Sequence, residues 1–152
     1  MRKCFFLPLW LAIIIPVWPQ GESAGGDDPS SYIGLTLTEL IRRFGAPLSV
    51  HAVRGLEQWQ DDVVFVYDQG DFYVYKDRVW QADLKAALGI KTGDLRGHVF
   101  MVLDSMPGPS QAETRGDSVF YPLDGGSWPL MLRCDFDRAG RVEAIFIYRP
   151  DF

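Results

Sequence analysis

Residues Gly34 to Pro47 read GLTLTELIRRFGAP, and residues Gly93 to Pro107 read GDLRGHVFMVLDSMP. Each is a glycine, a short amphipathic run and a proline stop, and each is followed by aromatic, strand-like sequence. In the first, Thr36 stands three residues before Glu39, the spacing of a capping box. Leu37, Leu40, Ile41 and Phe44 recur at helical spacing, Gly45 suits the backbone after a last turn, and Pro47 prevents continuation. A short helix is predicted there. In the second, Asp94 is placed as the cap and Leu95, Val99, Val102 and Leu103 as the apolar stripe. Gly97 weakens the first turn, and Pro107, Gly108 and Pro109 end the helix.

Beyond each helix the period changes to two, as in strands. Ser49–Val53, Val63–Tyr67, Phe72–Lys76 and Val79–Leu84 read as strands, with turns at 68–71 and at Asp77–Arg78. Connections this short require antiparallel pairing. Lys85–Leu88 reads as a helical turn ending at Gly89. After the second helix, Ser110–Asp117 reads as a polar loop. Val119–Leu123, Leu130–Asp137 and Arg141–Arg149 read as strands joined at Asp124–Gly126 and Arg138–Gly140. With an offset of 59 residues, Gly34 falls on Gly93, Leu40 on Val99 and Phe44 on Leu103. The shared order favours a duplication over chance likeness of two helices. The expected class is α+β: one domain, residues 32–152, of two tandem helix-plus-antiparallel-meander units, about 32–88 and 89–152.

The first 24 residues read as a cleaved signal peptide: Arg2 and Lys3, an apolar run from Phe5 to Trp18, then small residues up to Ala24. The run is shorter than the ~20 residues that span a bilayer, and Pro8 and Pro16 interrupt it, which disfavours an anchor. Cys4 precedes the run, whereas a lipoprotein cysteine follows it. Residues 25–31 read as a polar linker. Removing Arg2, Lys3 and Glu22 takes the net charge from −5 to −6. Acidity of this order disfavours nucleic acid and anionic membrane as partners. The exported chain keeps Cys134 alone, so a disulfide-stapled fold is excluded. Cys134 shares an apolar face with Leu130, Leu132 and Phe136, which alternate with Met131, Arg133, Asp135 and Asp137, and on such a face a free cysteine is a small hydrophobe rather than a nucleophile.

The second half resembles the SmpA/OmlA (BamE-like) family. The resemblance rests on Gly93, Val99, Leu103, Pro107, Phe120 and Tyr121, followed by Phe136-Asp137-Arg138-Ala139-Gly140-Arg141-Val142. The first half fits through Gly34, Leu40, Phe44-Gly45-Ala46-Pro47 and Phe65–Tyr67. Two such units in tandem resemble the β-lactamase inhibitor protein (BLIP-like) family. That resemblance covers about residues 32–149 and implies one curved antiparallel sheet with helices on one face, leaving the concave face free to bind a protein. The chain departs from it at Asp104-Ser105, in place of a Leu-Gly step, and in lacking paired cysteines and a lipid-attachment cysteine.

Little in the chain points to catalysis. His51 and His98 are apart, and a metal needs three or four converging ligands. No Gly-x-Ser-x-Gly, phosphate loop or His-Glu-x-x-His occurs. Asp61-Asp62, Asp68 with Asp71, and Asp135 with Asp137 read as turn and strand-face residues in preference to paired acids or a calcium site. No catalytic, cofactor or metal residue is assigned, and the expectation is not an enzyme. The aromatics carry more information. Phe72 and Val74 face one way, Tyr73 and Tyr75 the other, and Trp80 opposes Val79. Core plus cross-strand pairing and an exposed binding platform weigh about equally here.

The partner-binding set is placed at Trp59, Tyr73, Tyr75, Trp128 and Tyr148, ringed by Lys76, Arg133 and Asp135. The function expected is an exported, non-enzymatic protein-interaction module in the periplasm or outside the cell. It would use the uncovered sheet face and be either envelope-associated or an inhibitor of a secreted enzyme. The alternative is a small-molecule or glycan binder, or a weak enzyme, using the same aromatic cleft. A lipid carrier is disfavoured by the small core.

Overall fold

The computed structural model describes residues 28–54, 61–106, 112–124 and 126–152. The signal-peptide reading and Trp59 lie outside the described residues. Helix α1 spans Leu37–Phe44 and α2 spans Arg96–Asp104. The strands are β1 Ser49–Arg54, β2 Asp61–Tyr67, β3 Gly70–Tyr75, β4 Arg78–Leu84, β5 Ala86–Ala87, β6 Ile90–Lys91, β7 Glu113–Arg115, β8 Ser118–Leu123, β9 Leu130–Phe136 and β10 Val142–Tyr148. Among the described residues, eight of these form one antiparallel sheet in the order β1-β2-β3-β4-β10-β9-β8-β7, and β5 and β6 form a separate small hairpin. The fold is α+β with an open antiparallel sheet. No described helix is long and apolar enough to cross a membrane.

Local chemistry explains α1. The Thr36 hydroxyl accepts from Glu39 N–H at 3.2 Å, while Glu39 Oε2 accepts from Thr36 N–H at 2.8 Å, a complete capping box. Asp77, from the β3–β4 turn, adds an acceptor for Leu37 N–H. Thr36→Ala is expected to cost about 1 kcal/mol and to lower the melting temperature by roughly 3–5 °C. Differential scanning calorimetry measures this, and an unchanged midpoint would refute the capping account.

Helix α2 starts differently from the expectation. Leu95 occupies the cap position without a side-chain bond, because Asp94 Oδ2 accepts from Lys91 N–H at 2.8 Å instead. Leu95 is exposed, and Val99 and Leu103 carry the buried stripe. The expected helical turn at Lys85–Leu88 is the β5–β6 hairpin. Part of the expected 110–117 loop is β7, which pairs with β8. The β3–β4 turn falls on Lys76 and Asp77, one residue before the sequence placed it. Both have positive φ, 47° and 63°, as a tight right-twisting hairpin requires. Residues Pro29–Tyr32, expected to belong in part to the linker, form a 3₁₀ turn with Pro29 buried.

The core lies on one face of the sheet, under both helices. Strand register aligns Phe65, Phe72, Ala82, Ile147, Leu132 and Tyr121 across six strands, and all are buried. Leu40 of α1 and Val99 and Leu103 of α2 belong to the same cluster. At the α1 end the core is aromatic: Phe44, Tyr67, Phe72 and Tyr32 pack with ring centroids 5.2–5.7 Å apart.

The two helix entries are held alike. Gly34 N–H donates to Val79 O at 2.7 Å and Gly93 N–H to Val142 O at 2.7 Å. Val79 N–H returns to Leu35 O, and Val142 N–H to Asp94 O. Arg78 Nη1 donates to Gly34 O at 2.8 Å, and Arg141 Nη1 to Gly93 O at 3.0 Å. Gly34 and Gly93 have φ of 89° and 91°. The strands they grip, β4 and β10, pair with each other at the centre of the sheet.

Candidate functional site

Strand register also carries two rows of side chains across the face away from the helices. The first runs Asp71, Asp83, Phe146, Arg133 and Phe120, on β3, β4, β10, β9 and β8. The second runs Tyr73, Gln81, Tyr148, Met131 and Pro122 on the same strands. All but exposed Pro122 are half-buried, as on a face that no layer of secondary structure among the described residues covers. On β2 the face is closed: Val64, opposite Tyr73, is buried, as is Asp62.

Arg133 organises the middle of the first row. Its guanidinium lies over Phe120 at 5.7 Å and over Phe146 at 5.5 Å, so one cation bridges two rings on the flanking strands. Its Nε donates to Asp135 Oδ1 at 2.7 Å, and Ser118 Oγ donates to the same oxygen at 2.5 Å. Arg115 reaches Phe120 at 5.1 Å and is held by Glu113 at 2.7 Å.

A bulge in β4 shapes the other end. Register shifts between Tyr73 and Val74, opposite β4, so Trp80 is the extra residue and turns to the same face as Gln81. Its indole N–H donates to the buried Asp62 at 3.2 Å, and burial raises the Asp62 pKa. Tyr73 packs edge-on to Trp80 at 6.4 Å. Phe152 stacks on Trp80 at 5.1 Å with 11° between the planes, and meets Tyr75 edge-on at 5.3 Å. Lys76 Nζ lies 5.0 Å above Tyr75. Between the two ends is an open cleft of about 390 Å³, walled by Trp80, Arg133, Phe146, Tyr148, Arg149 and Phe152.

Seven of the eight expected partner-binding residues are described. Tyr73, Arg133, Asp135 and Tyr148 share this face, and Tyr75 and Lys76 stand at its β3 end. Trp128 does not share it. It precedes β9, packs against the core beside Gly34, and is reached from the sheet end by Arg149 at 4.8 Å. Gly34 leaves the room for it, since a Cβ there would meet the indole ring. Sequence reasoning missed Phe120, Phe146, Trp80, Asp83, Arg149 and Phe152 as members of the face. For Phe146 the signal was present, because it alternates with the buried Ile145 and Ile147.

Asp83 is a second perturbed acid on the face, in addition to Asp62. Burial, then the facing charge of Asp71, pushes the Asp83 carboxyl up to about 6, with Asp135 adding to the rise and a bond from the Ile145 backbone opposing it. Elsewhere, Cys134 is buried in the core, and burial, with the nearby Asp135 charge, pushes its thiol up to about 12, far from a reactive thiolate. His98 sits 3.6 Å from Asp94. Asp137 supports its turn, accepting from Ala139 and Arg141 N–H at 2.8 Å. Among the described residues, no three His, Cys, Asp or Glu side chains converge as a metal site would require.

No protein-family model and no curated protein matches the chain. Among solved structures it is similar to an extracellular protein containing a SCP domain from Bacillus anthracis, with a TM-score of 0.53 at 13% identity. That match covers 91% of this chain and 51% of the other, so the chain spans about half the length of that neighbour. A DUF4309 family protein, YjgB, from Bacillus subtilis matches with a TM-score of 0.42 at 18% identity, over 75% of this chain and 78% of the other.

Proposed function

We propose that the chain is an exported, non-enzymatic interaction module that binds a partner protein through the sheet face opposite its helices. The observation that carries this reading is the Phe120–Arg133–Phe146 bridge, continued by Tyr148, Tyr73 and Trp80, on a face left half-exposed. Arg, Trp and Tyr are the residues that dominate binding energy at protein interfaces. Rings held by cations and by cross-strand neighbours lose little freedom on binding. The matched bonds at Gly34 and Gly93 support construction from two tandem helix-and-meander units, as in BLIP-like proteins and their SmpA/OmlA relatives. The extracellular nature of the Bacillus anthracis neighbour accords with export. The work envisaged is envelope association or inhibition of a secreted enzyme.

Capture from envelope and culture extracts tests this. A retained protein is expected to lose roughly 30-fold in affinity on Arg133→Ala and on Tyr73→Ala, the scale of a hot-spot residue. Arg42→Ala, on the exposed side of α1, is expected to change nothing. Equal losses from both faces, or from neither, would count against the reading. The cleft beside Trp80 supports the second reading, a small-molecule or glycan ligand stacked on the same rings. A melting-temperature rise with saccharides and no retained protein would favour it, since a ligand specific to the native state stabilises that state.

A further inference from the structure

The segment after β10 shows what the open face accepts. Pro150–Phe152 turns back over the sheet and places the Phe152 ring flat on Trp80 and edge-on to Tyr75. Asp151 pairs with Arg149 through two bonds of 3.0 and 3.1 Å, and the Arg149 guanidinium lies 5.9 Å from the Phe152 ring. An aromatic ring and an adjacent carboxylate are thus received by an indole, a phenol and a guanidinium. The seat is held lightly. Arg149 N–H donates to Trp80 O at 3.1 Å, but among the described residues no backbone bond ties Pro150, Asp151 or Phe152 to the sheet. Phe152 remains 43% exposed although stacked, so withdrawing it breaks no ladder and uncovers the Trp80 face. The cleft beside it, with Arg133 as a second cation, has room for the flanking residues of a longer segment.

We propose that Trp80, Tyr75 and Arg149 form a socket for an aromatic side chain next to an acidic residue on the partner protein, and that Asp151 and Phe152 fill this socket in the unbound molecule. The proposal rests on the protein-binding reading of the face and names the chemistry of its partner. An acidic–aromatic segment of the partner displaces the chain's own, so the segment acts as a built-in competitor. It filters out weak ligands and lowers the affinity of the right one by the fraction of time that the socket is filled.

The probe is a fluorescein-labelled peptide with the sequence of Pro150 to Phe152, titrated into the purified full chain and into its Phe152→Ala variant, with tryptophan emission as a second readout. The variant is expected to bind the peptide at least about tenfold more tightly than the parent, because the competing ring is gone from its socket. Changing the aspartate of the peptide to asparagine is expected to weaken binding about tenfold through the lost charge-assisted pair. Tyr75→Ala in the Phe152→Ala background is expected to weaken it again, and this variant leaves the Trp80–Asp62 bond intact. Thermal melts confirm that each variant is folded. Equal binding by parent and Phe152→Ala, or no binding by either, overturns the proposal, as does indifference to Tyr75→Ala. If a captured partner depends on Arg133 but is bound equally by the parent and Phe152→Ala, the face binds protein and the socket assignment is wrong. If neither peptide nor partner binds, both readings fall together.

Discussion

Gly70→Ala is expected to be the most damaging single methyl in the protein. Gly70 starts β3 and is buried, paired with Tyr67 on one side and Leu84 on the other. Its φ is 153°, a backbone conformation that L-residues rarely adopt, and a Cβ there would run into the Asp83 carbonyl oxygen of β4. Two costs therefore add. The backbone strain is worth about 1–3 kcal/mol, and relieving the clash requires β4 to move, because the obstacle is main chain and has no alternative rotamer. A loss of at least about 3 kcal/mol is expected, seen as a fall of roughly 10–15 °C in melting temperature for a domain of this size. A fall under about 3 °C would show that β3 and β4 can part here at little cost, and would undermine the register described.

Asp83→Asn is expected to act in the opposite direction, and only above mildly acidic pH. The Asp83 carboxyl is raised from its ordinary 3.8 to about 6 because burial and then the facing Asp71 disfavour the charged form. The folded state therefore holds a proton that the unfolded state has released between those two values. The stability contributed by protonated Asp83 is fully present below about pH 4 and is lost as pH rises through about 6. By pH 8 the ionised group costs about 1–3 kcal/mol, allowing for solvent screening of a half-buried side chain. The asparagine removes that cost while still offering an oxygen to the Ile145 backbone. Melting curves at pH 8 are expected to favour the variant by several degrees, with the difference closing at pH 4.5. A difference that is the same at both pH values would mean that Asp83 does not titrate as described. The surroundings matter to the reading, because Lys85 and Glu143 line the same shallow pocket as Asp71 and Asp83.

The parts of the fold legible in the sequence are those whose chemistry is local. The capping box at Thr36 and Glu39, and the turn at Asp137, are complete within five residues, so their side chains could be paired on paper. Asp94 shows the limit of such reasoning. Its composition suits a cap, but its carboxylate is taken by Lys91, upstream, and its carbonyl by Val142, far along the chain. The two-residue strands at Ala86 and Ile90, and β7 at Glu113–Arg115, have too few residues to show a period and exist through their partners. The site was legible only as a phase. Alternation set Tyr73 and Tyr75 away from Phe72, and Arg133 away from Leu132. It could not foresee the bulge that swings Trp80 beside them. Nor could it show that Gly34 makes room for Trp128 on the other side.

The pairing of β4 with β10 at the centre of the sheet has a kinetic consequence. β1–β4 and β7–β10 each follow a hairpin path, so either half can assemble from near neighbours in the chain. The row from Asp71 to Phe120 crosses the seam between them at Asp83 and Phe146, residues more than sixty positions apart. Closing that loop is the slow, entropically expensive contact of this topology. Neither half alone holds the face. The proposed binding face is therefore complete only once that seam has closed.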